Sequence, residues 1–263
     1  MCAEKIIMNR LMRILGIFLL TSLTWTGLVS AAENPIQLEL ASPTIKISTF
    51  YNGTTLDVTG TVPADMNVLL TLSGPKNNVE LKVKGKMAGL LWMNKMDVEL
   101  ENTPAVYLVY TPEKTGTNLL GAKVGIGYKA LIKGITIKPE SEDKDFVFGE
   151  YIKLMEKSGV YGINQGSIKY GIVKNNKKTF SVTMTIPPKM NAGAYQAEAF
   201  AVKDGNVVGH TSKDLTLELS GLPKVIASLA FGHPLLFGIM AVFIAVATGL
   251  IIGVLFKGGG GSH

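Results

Sequence analysis

The chain carries one cysteine, three histidines and two tryptophans in 263 residues, and each scarcity removes a class of chemistry. The cysteine is Cys2, ahead of the first apolar run. The remainder of the chain therefore has no disulfide, thiolate metal site, thiol nucleophile or C-x-x-C-H haem attachment. Cys2 also lies on the wrong side of that run for a lipoprotein cysteine. One histidine, His263, closes the stretch "GGGGSH", which has the composition of an artificial linker and carries no functional weight. That leaves His210 and His233. No His-Asp-Ser arrangement and no multi-ligand metal spacing can be drawn from them. The carboxylate pairs Glu140/Glu142 and Asp143/Asp145 fall in a charged loop and read as solvated. "GAKVGIG" lacks the strand-to-helix context of a phosphate loop. The chain is expected to be non-enzymatic, with no cofactor, metal or catalytic residue.

Charged residues are also few, 17% against 47% hydrophobic, and mean hydropathy is +0.28. The excess sits at the two ends. Residues 1–32 read as a secretory signal peptide. Lys5, Arg10 and Arg13 form a basic start, Ile14 to Leu23 a short apolar run, and Ser30-Ala31-Ala32 a cleavage site. An uncleaved anchor is the alternative. Near the other end, Leu235 to Phe256 has no charged residue and matches the ~20 residues that cross a bilayer. Residues 223–257 are expected to form a transmembrane anchor and 258–263 a linker-like tail. The signal places residues 33–222 outside the cytoplasm, in a bacterial periplasm, with the C-terminus inside. Lys224 and Lys257 flank the span evenly, so the charge asymmetry of its ends decides little.

Residues 33–222 alternate with period two. Leu56, Val58 and Val62 share one side of a strand. Phe180, Val182, Met184 and Ile186 share another, as do Leu215, Leu217 and Leu219, while Val79, Leu81 and Val83 alternate with Glu80, Lys82 and Lys84. One apolar and one polar face per strand predicts antiparallel sheets. Asn52-Gly53 and Asp204-Gly205 read as hairpin turns. The pattern predicts a mainly β fold, an immunoglobulin-like antiparallel β-sandwich with a helix-containing insertion at about 85–165, followed by one C-terminal transmembrane helix. Two small consecutive domains are the alternative. Tyr195, just after Gly193, sits where a tyrosine corner would fall; an ordinary strand tyrosine is the other reading. Within the insertion, Asp145 to Ser158 predicts a helix with Phe146, Tyr151, Leu154 and Met155 on one stripe and Gly159 as its cap. Leu119 to Lys133 is a weaker helical pattern, interrupted by glycines.

Three groups of residues stand out as candidate contacts. Ala241, Ala245, Gly249 and Gly253 recur every four positions along the span and form a small-residue ridge for a partner helix, from another protein or a second copy. Phe231, His233 and Phe237 mark the outer membrane interface. Lys84, Lys86, Leu90, Leu91, Trp92 and Met93 place two lysines before an apolar run. This run is either a core strand continuing through Val98 and Leu100 or a docking surface. His210 reads as an exposed turn residue. The basic excess lacks the aromatic interleaving of a nucleic-acid binder, so no nucleic acid is expected.

The segments "LASPTIKISTFYNGTTLDVTGTVP", "VKGKMAGLLWMN", "PAVYLVYTP", "FGEYIKLMEKSGVYG" and "ASLAFGHPLLFGIMAV" together resemble a family of transmembrane proteins known mainly from α-proteobacteria. The resemblance implies association with sulfite-exporter-type permeases, and so a polytopic partner in the inner membrane. It supplies no catalytic residues. The leading expectation is a single-span accessory subunit facing the periplasm and docked on an anion or sulfur-compound permease. The alternatives are a subunit of a membrane redox complex, with His233 near a cofactor held by another chain, and a free-standing binding or envelope module.

Overall fold

The computed structural model describes residues 34–87, 90–112, 124–139 and 144–256, apart from the side chains of Met87, Trp92 and Lys95. The predicted signal peptide, the tail and residues 119–123 of the weaker helical pattern lie outside them.

Among the described residues twelve strands dominate: β1 (Gln37–Leu40), β2 (Thr44–Ile47), β3 (Thr54–Pro63), β4 (Asn67–Ser73), β5 (Lys76–Met87), β6 (Leu91–Pro104), β7 (Tyr107–Pro112), β8 (Thr136–Lys138), β9 (Tyr161–Lys174), β10 (Lys177–Ile186), β11 (Gly193–Lys203) and β12 (Asn206–Leu219). Nine form one curled sheet in the order β1-β3-β10-β9-β7-β4-β11-β12-β2, and the rest form a second sheet, β5-β6-β8. The fold is mainly β, as the alternation requires. Early and late strands interleave: β3 pairs with β10 and β4 with β11.

The predicted inward faces are the buried ones. Leu56, Val58, Val62, Phe180, Val182, Met184, Ile186, Leu215 and Leu217 all enter the main core, and Leu219 is half-buried. The long strand β9 bends between two neighbours. Its first half runs parallel to β7, and its second half pairs with β10. The first strands are shared similarly: β1 lies antiparallel to β3, and β2 parallel to β12. The β2–β12 and β7–β9 pairs are parallel exceptions that alternation cannot reveal, because a half-buried strand shows the same pattern whichever way its neighbour runs.

Two turn readings separate here. Asp204 and Gly205 take φ of 50° and 78° and close the β11–β12 hairpin as expected. Asn52-Gly53 is not a hairpin. Gly53 has φ 83°, but the turn lies earlier, where Tyr51 N–H donates to the Ser48 carbonyl, and β2 and β3 are not paired with each other, so this loop carries the chain from one part of the sheet to another. Asn175 and Asn176, with φ of 50° and 60°, close a β9–β10 hairpin that was not read from the sequence. Asparagine tolerates this left-handed region better than other side chains with a Cβ.

Gly60 lies in β3 between β1 and β10. A Cβ there would collide with the Gln37 carbonyl oxygen and the Phe180 ring. Gly60→Ala is expected to cost about 3 kcal/mol by forcing β1 and Phe180 apart. A lower denaturant midpoint with an unchanged slope would register it.

The helices are α1 (Tyr128–Leu131), α2 (Lys144–Lys157), α3 (Leu222–Ala227) and α4 (Pro234–Phe256). The weaker helical pattern shrinks to α1 and a 3-10 turn, Ile132–Gly134. The predicted α2 is present, and Gly159, at φ 77°, closes it with its N–H on the Glu156 carbonyl. Its buried stripe differs from the expected one. Val147, Phe148 and Tyr151 are buried and Met155 packs beside them, whereas Phe146 and Leu154 are exposed. The helix meets its neighbours along the adjacent stripe, and only the packed structure decides between two overlapping apolar stripes.

Candidate membrane and partner interface

Among the described residues, two apolar features outside the core bear on a membrane or partner interface. The first is α4, 23 residues with no acidic or basic side chain at either end and none of its residues buried. No soluble domain leaves such a rod in water, since each exposed Leu, Ile or Phe forgoes ~1.5–3 kcal/mol of burial. A bilayer supplies the missing environment, and 23 residues at 1.5 Å span about 35 Å, enough to cross it. It follows β12 through α3 and a π-helical turn, Ser228–Gly232. His233 separates that turn from α4; its N–H donates to the Leu229 carbonyl and its own carbonyl accepts from Phe237 N–H. Phe231, His233 and Phe237 are all exposed around this junction. Pro234 opens the helix at its first turn, where a missing N–H is harmless. Along α4 the Gly249 and Gly253 positions are open: a Cβ added at either meets nothing within 4 Å. Ala241 and Ala245 are exposed on the same helix.

The second feature is the β5–β6 ribbon. Residues Met87 and Leu91 pair at its tip, and Lys76 pairs with Pro104 at its base. β6 does run from the apolar segment through Val98 and Leu100, which are buried. Only that far half reaches the core. Leu90, Leu91 and Met93 are 84%, 66% and 48% exposed. The segment is thus a strand whose far half enters the core and whose first residues stand outside it. Lys84 and Lys86 are exposed on the opposing strand.

Tyrosines brace the base of this ribbon. Tyr161 on β9 donates its hydroxyl to the Pro104 carbonyl at 2.6 Å. Its ring meets Tyr107, Tyr128 and Tyr151 at centroid separations of 6.1, 6.4 and 5.8 Å. Tyr107 accepts from the Gly127 N–H, and Tyr128 donates to Glu156 on α2 at 2.7 Å. The cluster ties β6, β7, β9, α1 and α2 together, and burial pushes all four hydroxyls above the ordinary tyrosine range. In Tyr128 the Glu156 carboxylate adds to that rise. These tyrosines were not singled out from the sequence. They are dispersed in the chain, and only the parallel β7–β9 register brings Tyr107 opposite Tyr161. Between α2 and β5 a cleft of about 300 Å³ is lined by Leu81, Val83, Phe146 and Leu154 among others.

His210 is not a turn residue. It lies within β12 opposite Phe200, its ring 4.7 Å from that ring and its Nε2 3.1 Å from Glu198 Oε1. Tyr195 has its ring buried and donates its hydroxyl to the Asn191 carbonyl at 2.8 Å, the geometry of a tyrosine corner. Among the described residues no group of three His, Cys, Asp or Glu side chains comes together to hold a metal ion.

A family 123 glycoside hydrolase from Clostridium perfringens is similar in structure over 72% of this chain and 28% of its own, with 10% identity and a TM-score of 0.24. The chain thus spans under a third of that enzyme's length, and so low a score carries no inference about fold or chemistry. Comparison with curated proteins finds no match. The family model described as "Putative transmembrane protein (Alph_Pro_TM)" matches residues 35–258, which include both the β domain and α4. With the match running through the exposed apolar helix as well as the sheet, the chain belongs to this transmembrane family.

Proposed function

We propose that the protein is a non-enzymatic accessory subunit, held by α4 in the bacterial inner membrane with its β domain in the periplasm and its C-terminus in the cytoplasm. It serves a polytopic membrane protein, for which an anion or sulfur-compound permease is the favoured kind. The observation that carries the reading is α4 itself: an unburied apolar helix fused to a β domain, with Gly249 and Gly253 open to close approach. In lipid, helix association depends on backbones packing closely across small side chains. The signal-like residues 1–32 support the periplasmic orientation.

The β domain is read as immunoglobulin-like. The Tyr195 corner, and a first strand divided between β1 beside β3 and β2 beside β12, support this. Such a domain commonly binds through its surfaces and loops and needs no reaction centre.

Purification in mild detergent is expected to recover a polytopic membrane protein with this chain. Gly249→Leu combined with Gly253→Leu should reduce that recovery about tenfold, the equivalent of about 1.4 kcal/mol. The space around both glycines means that the chain's own fold accommodates the larger side chains. A solitary wild-type protein, or undiminished recovery by the double variant, would refute the docked-helix reading.

A further inference from the structure

The strand register places the β5–β6 ribbon at the end of the domain from which the span departs. Gln196 on β11 pairs with Ser73 on one side and Asp214 on the other, so the end of β4 is level with Asp214, five residues before β12 ends. From there β12 continues to Leu219, then α3 and α4. The ribbon continues β4 and β7 without a break. Ser73 pairs with Tyr107, Gly74 N–H donates to the Val106 carbonyl, Ala105 N–H donates to the Pro75 carbonyl, and Lys76 pairs with Pro104. The same end carries the β2–β3 loop, since Ile47 pairs with Leu219, and Phe50 in that loop is 93% exposed.

Reach is sufficient. The 12 residues of β5 extend about 40 Å at ~3.3 Å per residue. On the other path the five residues of β12 beyond Asp214 add about 17 Å and the helical stretch Leu222–Gly232, which precedes α4, about 16 Å, together still short of the ribbon. Register shifts opposite Asn77–Val79 and Val83–Lys84 bend the ribbon, and Asn102, at φ 61°, sits at the first of them.

We infer that the ribbon tip, Leu90, Leu91 and Met93, inserts into the bilayer interface, with Lys84 and Lys86 among the phosphates of the lipid headgroups. An apolar end flanked by lysines matches the layering of that interface, hydrocarbon below and anionic groups above. The tip side chains Leu90, Leu91 and Met93 are few against the roughly 20–30 residues a side of a stable protein contact. It needs little affinity of its own, because α4 already holds the domain at the membrane. A second attachment restrains the domain's tilt and rotation about α3. The proposal rests on α4 as the span and is independent of any protein partner.

The test uses the full chain with Cys2→Ser, otherwise cysteine-free, in vesicles of phosphatidylethanolamine and phosphatidylglycerol. An environment-sensitive fluorophore is attached to Leu91→Cys or Met93→Cys, and for comparison to Val208→Cys, an exposed apolar position at the opposite end of β12. Tip probes are expected to emit to the blue, to be quenched by lipids spin-labelled near the headgroup, and to be several-fold less sensitive to iodide than the Val208 probe. Iodide quenching equal to that at Val208 would overturn the proposal. So would shielding from both quenchers, which would signify a protein contact instead. A probe at Val246→Cys, mid-way along α4, is read with deep spin labels; its failure to quench would refute the span and the tip proposal with it, whereas a quenched Val246 probe beside iodide-exposed tip probes would refute the tip proposal alone.

Discussion

Ala245→Arg combined with Gly249→Arg is expected to strip the protein from the carbonate-resistant membrane fraction. Each arginine near the middle of a span costs roughly 2.5–3.5 kcal/mol on insertion scales, against about 0.3–0.6 kcal/mol gained per Leu, Ile, Phe or Val. α4 is rich in those residues, with Thr248 its main polar interruption. Its insertion is therefore favourable by several kcal/mol, and two arginines cancel most of that. The β domain should remain folded, because no residue of α4 is buried within the fold. The readout is the partition between alkaline-carbonate pellet and supernatant, with circular dichroism confirming the sheet. Full retention of the double variant in the pellet would move the anchoring elsewhere, for which the apolar run Ile14 to Leu23 is the candidate.

Raising the pH through 10 is expected to unfold the β domain. Tyr110, Tyr151 and Tyr161 are buried, and burial is the first cause that raises each hydroxyl above 10; Tyr110 is pushed up to about 12. For a group whose folded pKa lies above its unfolded value, stability is fully present below the unfolded pKa and is lost as pH rises from it. The unfolded chain ionises its tyrosines near 10, while the folded chain holds these in the neutral form. Tyr110 and Tyr161 each remove about 1.4 kcal/mol per pH unit, roughly 5 kcal/mol together between pH 10 and 12. That is comparable with the whole stability of many domains. Tyrosinate absorbance of these residues should therefore appear together with loss of the near-ultraviolet circular dichroism. Titration of all eight tyrosines near 10 with the sheet intact would contradict the burial argument.

The strands were legible because a half-buried strand writes its geometry into every second residue. Leu56, Val58 and Val62, or Phe180 through Ile186, could hardly read otherwise. Asp204-Gly205 was legible for a local reason, since two successive positive φ angles call for those residue types. Asn52-Gly53 offers the same residue types, yet only Gly53 takes a positive φ and the segment joins strands that do not pair. A turn dipeptide permits a bend and decides neither that it forms nor which strand the next one meets. The α2 stripe failed similarly: Phe146 and Leu154 are as apolar as Val147 and Phe148, and the helix could present either set. The core reading of β6 held for Val98 and Leu100 but not for Leu90, Leu91 and Met93, because burial depends on distance along the ribbon from the sheet, which residue identity does not record.

By itself, then, the sequence determined the elements whose physics is local: alternating strands, a helix closed by Gly159, and an apolar rod too long and too uniform for water. Tertiary structure alone decided which strands meet, that Tyr107 and Tyr161 share a cluster, and that the β5–β6 ribbon leaves the domain at the same end as the span. Those relations arise from pairing register between residues far apart in the chain, where backbone hydrogen bonds set the partner and side-chain type exerts only a weak preference.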